Sequence, residues 1–153
     1  MFMPLFLGSV TVIITMMIQI FAVVLVLQYL FALISGTDTR YSATGKTVYA
    51  IGLVMVILFV GHLVQMSIWA VLFMLIGQFS DYMTAFYHSM VNFASLGYGD
   101  IVMSKPWRLL GAIESSIGVL MFGVSAGAML SIMNYLLKHD IRIRNHKAEI
   151  QKN

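Results

Sequence analysis

The chain has 153 residues, of which 60% are hydrophobic and only 10% charged, and its formal net charge is +3. Soluble domains carry about 25% charged residues, so this is the composition of a membrane protein and leaves too little polar chain for a soluble enzyme or ligand-binding domain. Cysteine is absent, which excludes disulfides, thiolate nucleophiles and cysteine-ligated metals.

A helix crosses a bilayer with about 20 apolar residues at about 1.5 Å rise each. Three segments reach that length: 5–34, 47–77 and 107–137. The opening "MFMPLFLGSV" has no basic n-region, and the apolar run after it is too long for a signal-peptide core. It is expected to stay in the protein as a span. Thr11, Thr15 and Gln19 are spaced by four along it and share one face. They predict hydrogen bonds to a neighbouring helix.

"SGTDTRYSATGK" (35–46) is a polar loop with Arg40 and Lys46. The second span has His62 and Gln65 near its middle, and "QFSDY" breaks it. Asp81 is a good N-cap for a helix starting at Tyr82. Residues 82–94 are too few to span and too apolar for an exposed loop, which predicts a re-entrant helix. "SLGYGD" (95–100) and the link "IVMSKP" come next. Pro106 is well placed to open the third span near Trp107.

Lys and Arg counts orient the chain. With three spans, the 35–46 loop and the tail share a side, and that side holds seven of the nine basic residues. It is therefore expected to be cytoplasmic, with the N-terminus and the Gly-Tyr-Gly run facing outward.

Irregular backbone at membrane depth is tolerated only against protein or a watery cavity. Gly97 and Gly99 alternate with Leu96 and Tyr98, and glycine accepts backbone angles closed to other residues. Such alternation can turn successive carbonyls to one side. A ring of such carbonyls replaces the hydration shell of a cation. In this reading Ser95 adds an oxygen at the inner end. Leu96 and Tyr98 pack the strand from behind, and Asp100 sits at the outer mouth. The C-terminal end of the re-entrant helix carries roughly half a negative charge, which would favour a cation at the membrane centre.

"SLGYGD" resembles the potassium-channel signature, TVGYG. "AFYHSMVNFA" resembles a pore helix, and "WRLLGAIESSIGVLMFGVSAGAML" a pore-lining inner helix. Arg108 and Gly118, ten residues apart, and Phe122 and Gly123 fall on matching positions of bacterial two-helix potassium channels. The resemblance covers 47–135 and is greatest to small bacterial channels with one helix before the pore module.

It implies an all-α integral membrane protein with a tetrameric potassium-channel pore. Residues 1–34 form an N-terminal span, 35–46 a cytoplasmic loop and 47–137 the pore module. Within the module lie an outer helix (47–77), a pore helix (82–94), a filter (95–100) and an inner helix (107–137). Residues 138–153 form a basic cytoplasmic tail. The resemblance also implies K+ coordination by Ser95, Leu96, Gly97, Tyr98 and Gly99, and a gating hinge at Gly118. Phe122, Ser125, Ala126 and Met129 are the candidates for an inner gate.

There are departures. Leu96 stands where valine or isoleucine is usual, and Ala94 and Ser95 where threonines are common. Val91 occupies a filter-support position where some channels carry a glutamate bound to the filter aspartate. Tyr87, four residues earlier, is available to donate to Asp100 instead.

Glu114 and His62 are ionisable groups inside spans, and such groups are functional candidates by default. Glu114 is expected to find partners among Gln65, Asn92 and Ser115, and His62 and His88 to be packed or hydrogen-bonded. The thirteen methionines read as adaptable packing. The tail has five basic and two acidic residues, a pattern that suits anionic lipid headgroups.

The function expected is a homotetrameric potassium channel in the cell inner (plasma) membrane. It would conduct K+ passively, with no cofactor and no nucleic-acid partner. A weakly selective cation channel on the same fold, or a non-conducting subunit that needs a partner, are the alternatives. No nucleophile–base pair or phosphate-binding glycine loop supports an enzyme.

Overall fold

A computed structural model describes residues 2–35 and 43–150 of the chain. The described residues form four helices and no strand. These are α1 (Phe2–Ser35), α2 (Ala43–Leu75), α3 (Tyr82–Phe93) and α4 (Arg108–Ile150). Three of them contain stretches long and apolar enough to cross a membrane: Phe2–Tyr29, Val48–Leu75 and Arg108–Leu136. Lipid offers the backbone no hydrogen bonds, so a spanning segment must pair its amides within itself, as a helix does. That requirement overrides the preference of valine and isoleucine for strands.

The ends differ from the sequence reading in instructive ways. α2 begins at Ala43, inside the predicted 35–46 loop. Residues 36–42 of that loop, Arg40 among them, lie outside the described residues. α2 ends at Leu75, two residues before the predicted 77. The cause is Gly77, whose φ is +70°. Its N–H donates to Met74 O and that of Gln78 to Phe73 O, each at 2.9 Å. This is the left-handed cap that closes the last turn of a helix. α4 runs on to Ile150, so most of the 138–153 tail is helical. The side chains of Arg142, Arg144 and Lys147, and residues 151–153, lie outside the described residues.

α1 buries one narrow stripe: Pro4, Gly8, Thr11, Thr15, Gln19, Ala22 and Val26. The steps of three and four keep these residues on one face. The rest of the helix is left for lipid. The stripe lies against both α2 and α4. α2 packs against all three other helices, and Ala50, Val54 and Leu58 share one buried cluster with residues of both α1 and α4.

Three buried clusters stack along the bundle. Val26, Ala50, Val54, Leu58, Ile132 and Leu136 form the one at the C-terminal end of α1 and the N-terminal half of α2. Met66, Phe93 and Met121 form the middle. Trp69, Phe73, Met103 and Leu110 form the far end, beneath the link between α3 and α4. Helix association in lipid gains little from apolar burial, so close packing and interhelical hydrogen bonds hold such a bundle.

The polar face of α1 works differently from its prediction. Thr11 Oγ1 donates to Leu7 O at 2.9 Å, and Thr15 Oγ1 to Thr11 O and Val12 O at 3.0 Å. Both hydroxyls therefore turn back onto their own helix, as threonines in apolar helices do. Gln19 alone of the three reaches across. Its Nε2 donates to Ser125 Oγ on α4 at 2.7 Å, and its Oε1 accepts from Gln65 Nε2 on α2 at 2.6 Å.

Candidate functional site

The site is built where α3 ends. Asp81 caps the helix start, accepting the Thr84 N–H at 2.9 Å and the Thr84 hydroxyl at 3.1 Å. Ala85, His88, Ser89, Val91 and Phe93 are the buried residues of α3. They seat it between α2 and α4. The link on its far side is tied down by Gln78, whose Oε1 accepts both Ser104 N–H (3.0 Å) and Ser104 Oγ–H (2.7 Å).

α3 closes on Ser95. The Ser95 N–H donates to Asn92 O at 2.8 Å and the Leu96 N–H to Val91 O at 2.9 Å. These bonds make the same type of cap that ends α2, with Ser95 in the left-handed position that glycine usually takes. Ser95 has φ +57° and is the only non-glycine with positive φ among the described residues. Gly97 and Gly99 have φ +63° and +73°. From 95 to 99, φ is thus positive at every second residue. Nothing lies within 4 Å of a Cβ built on either glycine.

The expected side-chain packing is not supplied by this chain. Leu96 is 53% exposed and Tyr98 66%. Support from Val91 comes through its carbonyl, since the buried side chain points into the bundle and the oxygen holds Leu96 N–H. Tyr87 Oη donates to Asp100 Oδ2 at 2.7 Å, and Asp100 Oδ1 accepts the Ile101 N–H at 3.0 Å. The Tyr87 hydrogen bond, more than the backbone amides, holds the Asp100 carboxyl below the usual range, and the same bond raises the Tyr87 phenol.

One turn of α4 carries the rest. Glu114 is fully buried and accepts from Ser89 Oγ and, at 3.2 Å, from Asn92 Nδ2. Of its expected partners only Asn92 is engaged; Gln65 bonds Gln19, and Ser115 bonds Ser95. Ser89, absent from the expectation, also reaches Met66 O at 2.8 Å and so links α2, α3 and α4. Ser115 Oγ lies 2.9 Å from Ser95 Oγ. A Cβ on Gly118 would meet Phe93 O at 2.0 Å, so α4 touches the last turn of α3 backbone to backbone.

A family model described as "Ion channel" matches residues 52–135, more than half of the chain. The chain belongs to the ion-channel family. The matched domain is the two-helix, potassium-channel-like pore module, and α1 lies outside it. Neither the curated proteins nor the solved structures yield a match.

In this channel the inner-gate candidates divide. Phe122 is 41% exposed and touches the rings of His62 and Phe93 edge-on, at 5.0 and 5.6 Å between centroids. Ala126 is exposed. Ser125 and Met129, by contrast, turn into the bundle. Ser125 Oγ lies 3.1 Å from His62 Nε2 and accepts from Gln19, while Met129 packs on the cluster around Leu58. Gly123 and Gly127 meet nothing within 4 Å in the chain, so they serve no helix contact inside it. His88 Nε2 lies 3.0 Å from Asn92 Nδ2, which places it beside the Glu114 cluster. Helical spacing could have revealed the Ser89–Asn92–Glu114 cluster only with α3 already docked on α4.

Proposed function

We propose that four copies of the chain assemble around a common axis as a potassium-selective channel that passes K+ down its electrochemical gradient. One observation carries the reading: φ is positive at Ser95, Gly97 and Gly99 and not at Leu96 and Tyr98 between them. Such alternation can turn successive carbonyls to one side, which is what a carbonyl-lined filter needs. One loop cannot enclose an ion, and carbonyl filters of this kind use four.

The position of α3 supports the same reading. Its last carbonyl lies against Gly118, ten residues into α4. At about 1.5 Å per residue this is about 15 Å along α4, half of a hydrocarbon core of roughly 30 Å. A re-entrant helix of that depth points its partly negative C-terminal end at the bilayer centre, where a dehydrated cation most needs it. Asp100 adds fixed negative charge at the outer mouth. We place the N-terminus and Asp100 outside the plasma membrane and the basic tail in the cytoplasm, against anionic lipid headgroups.

The test is flux from the purified protein in liposomes, under a K+ gradient and then a matched Na+ gradient, with the particle mass measured in detergent. A four-chain particle passing K+ and not Na+ is the expected result. Equal fluxes would identify a weakly selective cation channel on the same fold, to which Ser95 and Leu96 would be the first clue. No flux from a particle of another size would identify a subunit that needs a partner.

A further inference from the structure

Ser95 combines two features that are seldom found together. It holds a left-handed backbone, φ +57°, at a helix cap where glycine is favoured. Strain of this kind persists only where the surroundings over-determine it, and it gathers at functional sites. Its side chain is also engaged: Ser95 Oγ lies 2.9 Å from Ser115 Oγ on α4. Glycine would give the same turn with less strain, so the hydroxyl itself is what serine adds.

We propose that Ser115 is a positioning residue for the innermost cation site of the filter, acting through the Ser95 hydroxyl. This inference rests on the potassium-channel reading above. A hydroxyl has one proton and two lone pairs. It coordinates a cation through its lone pairs, and the cation repels its proton. The proton must therefore point away from the ion and be accepted there. Ser115 Oγ is in place to accept it. With that acceptor Ser95 turns its lone pairs to the ion; without it the hydroxyl rotates freely, and its proton faces the site part of the time.

The arrangement is stiff because Ser115 lies between two other contacts of the same helical turn. Glu114 holds Ser89 and Asn92 of α3, and Gly118 seats the Phe93 carbonyl. The distance from Ser115 to Ser95 is thus set by the docking of α4 on α3, and any shift of α4 reaches the filter there first.

The test uses the full-length protein and the variants Ser115→Val, Ser115→Thr, Ser95→Ala and Ser95→Ala/Ser115→Val. Valine and threonine have the same shape, and only threonine keeps the hydroxyl. Two quantities are read: the Rb+ concentration that half-stabilises the purified protein against heat, and the K+/Na+ permeability ratio in liposomes. Ser115→Val is expected to weaken both by roughly fivefold, the scale of one net hydrogen bond. Ser115→Thr is expected to restore both. In the Ser95→Ala background, Ser115→Val should add nothing, since a residue that acts through another shows no effect once that one is gone.

Wild-type values in Ser115→Val, or an equal loss with and without the Ser95 hydroxyl, overturn the proposal while leaving the channel reading intact. A wild-type protein that is neither stabilised by Rb+ nor selective for K+ overturns the channel reading, and this proposal falls with it. Should Ser115→Val not fold, Ser115→Ala takes its place in the same comparison.

Discussion

Gly118 and Tyr87 illustrate how single residues hold the Gly-Tyr-Gly region. At Gly118 the sequence points to a hinge, and the structure supplies a contact. A Cβ there would lie 2.0 Å from Phe93 O, a backbone atom that cannot rotate aside. Gly118→Ala is therefore expected to push α3 off α4 and to destabilise the fold by about 1–3 kcal/mol, the range for overpacking a filled site. The thermal midpoint in detergent reads this. A pure hinge would instead leave the midpoint unchanged and alter only channel opening.

Tyr87 and Asp100 give a pH dependence with a definite sign. Their hydrogen bond is the main cause that lowers Asp100 below its ordinary 3.8 and raises Tyr87 above its ordinary 10.0. The depressed carboxyl makes the contribution full above 3.8 and lets it fade as pH drops through the folded value. The raised phenol keeps it full below 10.0 and lets it fade as pH climbs through the folded value. The bond thus operates unchanged across neutral pH. In Tyr87→Phe, Asp100 titrates at a higher pH, so ion flux should fall earlier than in wild type as the solution on the Asp100 side is acidified. Coincident acid limbs in the two proteins would rule out the Tyr87–Asp100 bond as the determinant.

Among the elements, α1 was expected as a span but lies outside the matched channel domain. It is joined to both other spans through Gln19, with Gln65 on α2 and Ser125 on α4 as partners. Hydrogen bonds between membrane helices average about 0.6 kcal/mol. Gln19→Leu removes two and leaves Gln65 and Ser125 facing an apolar residue, so a loss of about 1 kcal/mol is expected. It should appear as a lower midpoint, read by thermal unfolding in detergent. α3 makes a contrasting case. Its existence and its Asp81 cap were readable from a short apolar segment after a break, yet its seat was not. The residues that seat it, Ser89, Asn92 and Phe93, carry no pattern of their own; their partners Met66, Glu114 and Gly118 lie on two other helices.

For the whole molecule, the exposed surface is as informative as the core. Leu96, Tyr98, Val119, Leu120 and Leu130 stand exposed on the single chain. Lipid suits the leucines and valine, but Tyr98 and the irregular backbone around it need protein or water at membrane depth. The proposed four-chain assembly would meet that need. The sequence by itself determined the three spans, the short helix, its Asp81 cap and the Gly-Tyr-Gly run, because each depends on local physics: apolar length against bilayer thickness, a side chain beside its own backbone, and glycine's freedom of φ. Only the tertiary structure decided that Ser95 bonds Ser115, that Gly118 is filled by the Phe93 carbonyl, that Ser125 faces α1, and that Glu114 is held by Ser89. Those outcomes depend on which faces of separate helices meet, and a side chain's spacing along its own helix does not encode the distance to another.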